Sequence, residues 1–178
     1  MKNVILIGFM GTGKTSVSRA LAGRLGWNRI DTDAEIEKRE ARSIAQLFEA
    51  VGEAGFRQIE TEVISDVLRS DRQVVATGGG AVLREENRAL MLNRGFVVAL
   101  TASKDAIIER VRGDRGRPLL QGNLEDRVNR LLEERKHAYD FAHLKLDTTH
   151  LSVDQVVERI LQEMNFNGRI EKEQKKGR

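Results

Sequence analysis

The apolar run Val4-Ile5-Leu6-Ile7 leads directly into Gly8-Phe9-Met10-Gly11-Thr12-Gly13-Lys14-Thr15, which satisfies the pattern G-x-x-x-x-G-K-[ST] where a buried strand meets a helix. Residue types at this spacing cradle a phosphate chain. The glycines let backbone N–H groups curl around phosphate oxygens, because they accept positive φ and place no Cβ in the way. Lys14 brings a point charge to the β- and γ-phosphates, Thr15 offers a hydroxyl to Mg²⁺, and the helix beginning here turns its positive end toward the anion. A chance glycine turn has no reason to show strand, loop and helix in this order, so the segment reads as a nucleotide-binding P-loop.

Asp31-Thr32-Asp33 closes a second short strand, and in an open parallel sheet the carboxyl ends of strands border the ligand crevice. One acid there can help hold Mg²⁺ and the other can orient or deprotonate an acceptor hydroxyl. Taken alone, the same residues read equally well as a solvated turn whose aspartate caps the next helix. The third strand, Val74-Val75-Ala76, ends in Thr77 and not in an aspartate, which leaves Asp31 as the natural acid for the metal. Gly78-Gly79-Gly80 follows. It is either a flexible strand-to-helix turn or a place where a ligand approaches bare backbone. Arg57 and Glu60 stand i, i+3 in a helical stretch, and Arg135 lies in Glu134-Arg135-Lys136-His137-Ala138-Tyr139. Either arginine can grip a carboxylate through two N–H groups, but spacing alone favours solvated surface charge for both.

The elements that must hold these groups are legible as an alternation of strands and helices. Strands are expected at Val4 to Ile7, near Arg29 to Asp31, at Val74 to Ala76, at Val97 to Leu100 and, more weakly, at Leu144 to Leu146. Short apolar strands separated by helices imply right-handed βαβ units and a parallel sheet covered on both faces. Ser43-Ile-Ala-Gln46 and Ser152-Val-Asp-Gln155 are capping boxes that start helices near 44 and 153. The single proline, Pro118, interrupts two helical stretches in a polar loop, Gly113-Asp114-Arg115-Gly116-Arg117-Pro118.

At 178 residues the chain is one domain by length, with a core large enough to need no staples. It has no cysteine, which excludes disulfides, thiolate nucleophiles and Cys-based zinc sites, and its three histidines are scattered. No apolar run approaches a membrane span, and a soluble cytoplasmic protein is the expectation. The net charge of +3 is local: residues 167 to 178 hold five cations against two anions, so residues 1 to 166 are formally neutral. A neutral domain with 4% aromatic residues lacks the basic footprint and stacking platform of a nucleic-acid module. The charged tail from 167 is expected to be disordered.

Together these residues resemble the shikimate kinases, small P-loop phosphotransferases related to nucleoside monophosphate kinases. The resemblance runs from the first strand to about residue 163. It rests on Gly11-Thr12-Gly13-Lys14-Thr15, Asp31-Thr32-Asp33, Phe56-Arg57-x-x-Glu60, Gly78-Gly79-Gly80, Arg117-Pro118-Leu119-Leu120, and Glu134-Arg135 with Tyr139. It implies a three-layer α/β P-loop kinase fold, five parallel strands in the order 2-3-1-4-5 with helices on both faces. A single kinase domain over 1–166 would carry a substrate-binding region near 32–62 and a lid near 111–123.

The resemblance further implies ATP bound by Gly11, Thr12, Gly13, Lys14, Thr15 and Ser16, with Arg117 reaching its phosphates from the lid and Arg110 lying against adenine. Mg²⁺ would be served by Thr15 and Asp31. Shikimate would be held by Asp33 at its hydroxyls and by Arg57, Arg135 and the Gly79 backbone at its carboxylate, with Lys14, Asp33 and Arg117 as the catalytic set. The implied reaction converts ATP and shikimate to ADP and shikimate 3-phosphate, in a monomer without nucleic-acid or membrane partners. A kinase of another hydroxy acid such as gluconate fits the P-loop but leaves the set Asp33, Arg57, Gly79 and Arg135 unexplained. A non-catalytic, nucleotide-responsive regulatory protein whose tail contacts nucleic acid is the rival from a different class.

Overall fold

In the computed structural model, residues 2–112 and 123–176 are described, with the side chains of the last helix described through residue 165. The order of elements is β1 (Asn3–Gly8), α1 (Lys14–Leu25), β2 (Asn28–Asp31), α2 (Thr32–Glu40), α3 (Ile44–Val67) and β3 (Gln73–Ala76). A 3₁₀ turn (Ala81–Leu83) then leads to α4 (Glu85–Arg94), β4 (Gly95–Thr101), α5 (Lys104–Val111), α6 (Leu124–Glu134), β5 (Leu144–Asp147) and α7 (Val153–Lys176). The strands form one five-stranded sheet in the order β2-β3-β1-β4-β5, with every pairing parallel. This is the order expected from the resemblance.

Strand alternation builds the two cores. On β1, Val4 and Leu6 face α1 and α7 with Val74, Val98 and Ile160, while Ile5 and Ile7 face the other way onto Ile64, Leu68 and Met91. All four β1 side chains are fully buried, as a central strand of a covered parallel sheet requires. Two smaller clusters matter for the site. Ile36, Leu47, Phe56 and Val63 lock α2 to α3, and Phe9, Met10, Ile107, Val111, Val128 and Leu131 seat the P-loop on α5 and α6.

Helix starts follow their local chemistry. Ser43 and Gln46 form the reciprocal capping box at α3, and Ser152 with Gln155 do the same at α7. Asp31 accepts from the Ala34 N–H and caps α2, so the modest reading of that aspartate holds alongside any role at the site. The helix α7 runs from Val153 to Lys176 and so reaches into the charged segment 167–178. Arg117, Pro118 and most of the expected lid lie outside the described residues.

Candidate active site

The P-loop is built by the backbone the glycines allow. Gly8, Gly11 and Gly13 all sit at positive φ, and a Cβ on Gly8 would stand 2.2 Å from the Leu100 carbonyl oxygen, so β4 can lie against the loop only if that residue is bare. Thr12, fully buried, donates to the Phe9 carbonyl at 2.7 Å. Lys14 folds back over the loop and donates to the carbonyls of Gly8 and Phe9, both at 2.8 Å. Its ammonium is therefore held at the mouth of the ring of N–H groups that α1 opens toward an anion.

From the loop a cleft of about 710 Å³ extends across the carboxyl ends of β1, β2 and β3. Gly11, Gly13, Lys14, Thr15, Ser16 and Asp31 line one end, and Asp33, Arg57, Glu60, Gly79 and Arg135 line the rest. Two residues expected at the nucleotide are not on its wall. Thr12 lies beneath the loop, and Arg110 clamps it from the α5 side, donating to the carbonyls of Gly11 (3.1 Å) and Thr148 (3.0 Å). The edges of the Arg110 guanidinium are thus committed to protein.

The far end of the cleft overturns the surface reading of the two arginines. Arg57 is 8% exposed, Arg135 5% and Glu60 0%. Arg57 and Glu60 do form the i, i+3 pair, Nη1 to Oε2 at 2.7 Å, but the pair faces inward because α3 turns that side to the sheet. The Arg57 guanidinium lies over the rings of Phe48 and Phe56, whose centroids are 5.9 and 5.3 Å away. Burial pushes the Glu60 carboxyl up, against the opposing pull of the Arg57 charge and hydrogen bond, with Asp33 raising it further. Arg135 stands 5.8 Å over the Phe9 ring, hydrogen-bonds Tyr139, and is close enough for its charge to pull the Glu60 carboxyl down against burial.

The three glycines lie against four charged groups, and two of them, Gly78 and Gly80, are sockets that a side chain would fill. A Cβ on Gly78 would meet Asp33 Oδ1 at 2.7 Å and Glu60 Oε1 at 3.0 Å; on Gly79 it would lie 3.5 Å from Arg135 Nη1; on Gly80 it would strike Arg57 Nη2 at 2.3 Å. Tyr139 fastens the middle of the triplet by donating its hydroxyl to the Gly79 carbonyl at 2.8 Å. Sequence reasoning missed Glu60 as an interior group, the packing role of Gly78 and Gly80, and the hydrogen bond by which Tyr139 fastens Gly79. The signal for the first was present, since Glu53, Arg57 and Glu60 fall at i, i+4, i+7 on one helical face together with the apolar Phe56 and Ile64 beside it.

A divalent ion is compatible with the metal end. Thr15 supplies a hydroxyl and Asp31 a carboxylate, both on the cleft wall, and among the described residues no cluster of three or more His, Asp or Glu residues competes as a metal cage. Mg²⁺ takes few protein ligands and shares the rest of its shell with phosphates and water, so this sparse oxygen set suits it. Asp31 is oriented from behind by Arg29, whose Nη2 donates to Oδ2 at 3.1 Å while Nε donates to Ser18 Oγ at 2.9 Å.

Known proteins share this architecture. The shikimate kinase from Pelotomaculum thermopropionicum is 45% identical over 172 residues, covering 96% of this chain and all of the relative. The structure of the shikimate kinase from Acinetobacter baumannii in complex with shikimate superposes with a TM-score of 0.90 at 38% identity, covering 94% of each chain. A gluconokinase from Sinorhizobium meliloti is more distant, at 18% identity and a TM-score of 0.60, a likeness of fold alone. With the shikimate kinase family model matching residues 10–165 as well, the chain belongs to the shikimate kinase family.

Proposed function

We infer that this protein is a shikimate kinase, which transfers the γ-phosphoryl group of ATP to a hydroxyl of shikimate. The observation that carries the reading is the buried arginine pair at the end of the cleft opposite the P-loop. A guanidinium as buried as Arg135, on the wall of the cleft, carries a desolvation cost that an anionic ligand there would offset. Shikimate supplies that anion, and the Acinetobacter relative is solved with it.

The roles follow the line of the cleft. Gly11 to Ser16 wrap the ATP phosphates, and Lys14 exchanges its two carbonyl partners for the β- and γ-phosphates. Arg57, Arg135 and the Gly79 backbone hold the shikimate carboxylate, which leaves the ring hydroxyls toward Asp33. Asp33 orients the attacking hydroxyl and takes its proton. Mg²⁺, held through Thr15 and Asp31, would neutralise charge on the phosphates. Phosphoryl transfer passes through a loose transition state with charge spread over the γ-oxygens, so in-line positioning and fixed cations supply most of the acceleration. Arg117, in the segment outside the described residues, is the further cation we assign to the phosphates. We place the enzyme in the cytoplasm, where ATP is supplied, as a monomer with residues 1–166 as the kinase domain.

The assignment is tested with Arg135→Leu and Asp33→Asn. A charge-assisted contact of the Arg135 kind contributes on the order of 1.5–3 kcal/mol, so its loss raises the shikimate KM roughly ten- to a hundredfold with ATP binding little changed. Asp33→Asn lowers kcat/KM by about 10²-fold or more while nucleotide still binds. Kinetics of either variant indistinguishable from the parent would remove that residue from the site.

A further inference from the structure

Arg57 is held by two carboxylates of very different freedom. Glu60, fully buried, takes Nη1 at 2.7 Å, whereas Glu53 takes Nη2 at 3.3 Å from a side chain that is 60% exposed. Nε of Arg57 is buried and has no hydrogen-bond partner among the described residues, as has Oε1 of Glu60. The guanidinium therefore meets the cleft already paired twice, with one buried donor unused. Glu53 is also the first residue after a break in α3: Gly52 sits at φ 69° and ψ 179°, outside helical geometry, and divides the helix into two arms. Phe48 on the first arm packs on Phe56 on the second at 4.4 Å between centroids with the rings tilted by 30°, and Arg57 lies over both rings. The Glu53 contact lies at the start of the second arm, on its solvent side, next to the joint.

We propose that Glu53 is an internal competitor for the substrate carboxylate at Arg57 and sets the affinity of the acceptor site. The inference rests on the assignment of Arg57 to the shikimate carboxylate. Glu60 is enclosed and cannot withdraw; Glu53 reaches Arg57 from solvent, beside a joint at which the chain already departs from the helix. An arriving carboxylate makes the third anion around one guanidinium, after Glu60 and Glu53, with Asp33 nearby as a fourth negative group and Arg135 as the other cation that the described residues place on that part of the cleft wall. Like charge at this distance weakens binding. Weakened ground-state binding serves turnover, since a hold shared equally by substrate, transition state and product adds nothing to kcat and slows release.

The test is calorimetric titration of shikimate into the nucleotide-free protein, parent against Glu53→Gln, with steady-state kinetics alongside. A half-exposed ion pair moves an equilibrium about two- to fivefold. Glu53→Gln is therefore expected to bind shikimate about two- to fivefold more tightly and to lower its KM by a similar factor, with kcat unchanged or reduced and ATP affinity unchanged. Glu53→Asp, which keeps the charge but shortens the reach, falls between the two. The difference shrinks at molar salt, as an electrostatic effect must. Shikimate binding in Glu53→Gln that is equal to the parent or weaker overturns the proposal and makes Glu53 a support for Arg57. Arg57→Leu in the same titration separates the two levels: if it binds shikimate like the parent, the assignment of Arg57 to the substrate fails, whatever Glu53 does.

Discussion

Replacing Gly80 by alanine should disable the acceptor site without disturbing the fold. Gly80 has φ −98° and ψ −2°, a conformation open to any residue, so the backbone resists nothing. The added methyl would lie 2.3 Å from Arg57 Nη2, 2.6 Å from Cζ and 2.7 Å from Nη1. Ordinary contact between such atoms needs about 3.5 Å, so the guanidinium must retreat by roughly 1 Å. It is the far end of a flexible side chain, and folding stability should fall little. The position of the fork is another matter. A guanidinium that retreats while keeping its bond to Glu60 shifts on Phe48 and Phe56, and the misplaced fork forfeits a substrate-carboxylate contact of about 1.5–3 kcal/mol. Coupled measurement of ADP release should show the shikimate KM raised about ten- to a hundredfold, the ATP KM within about twofold, and a melting temperature near that of the parent. Gly23→Ala is the matched control: a Cβ there meets nothing within 4 Å in the last turn of α1, so it should raise stability by up to about 1 kcal/mol and leave kinetics alone. An unaltered shikimate KM in Gly80→Ala would refute the socket argument.

Tyr139→Phe removes the hydroxyl that holds the Gly79 carbonyl, which should cost about 1 kcal/mol in urea unfolding and raise the shikimate KM a few-fold; parent values for both would show that the hydrogen bond positions nothing. Glu60 gives stability a defined pH slope. Burial holds its carboxyl above the ordinary value of 4.5, so between 4.5 and the raised value the folded state binds more protons than the unfolded state, and stability falls as pH rises through that window. Glu60→Gln should flatten this part of the stability profile, and unfolding curves for both proteins that stay parallel from about pH 4 upward would contradict it.

The sheet and the phosphate end of the cleft were legible because their signals are local. A P-loop is contiguous, β1 is an unbroken apolar run, and both capping boxes announce helix starts within four residues. Asp31 was legible twice over, as a cap and as a group at the end of a strand. The acceptor end was not, because burial of a charge is a tertiary fact. Nothing in Phe56-Arg57-Gln58-Ile59-Glu60 says which face of α3 meets the sheet, and an arginine–glutamate pair at i, i+3 is usually solvated. Only the packing of α3 against the glycine triplet turns that pair inward. The glycines were similarly ambiguous. Their meaning lies in Asp33, Arg57, Glu60 and Arg135, which approach from segments between 18 and 56 positions away along the chain.

The central claim is that the cleft accepts shikimate as the phosphoryl acceptor, and the direct measurement is kcat/KM over a panel of acceptors at saturating ATP and Mg²⁺. Shikimate, gluconate and a nucleoside monophosphate suffice, with ADP release read against the background of ATP hydrolysis. A site built from two guanidiniums and an aspartate at set positions should favour shikimate over either rival by at least about 10²-fold. Gluconate or the nucleotide turned over with a higher kcat/KM than shikimate, or shikimate turnover no faster than the hydrolytic background, would contradict it.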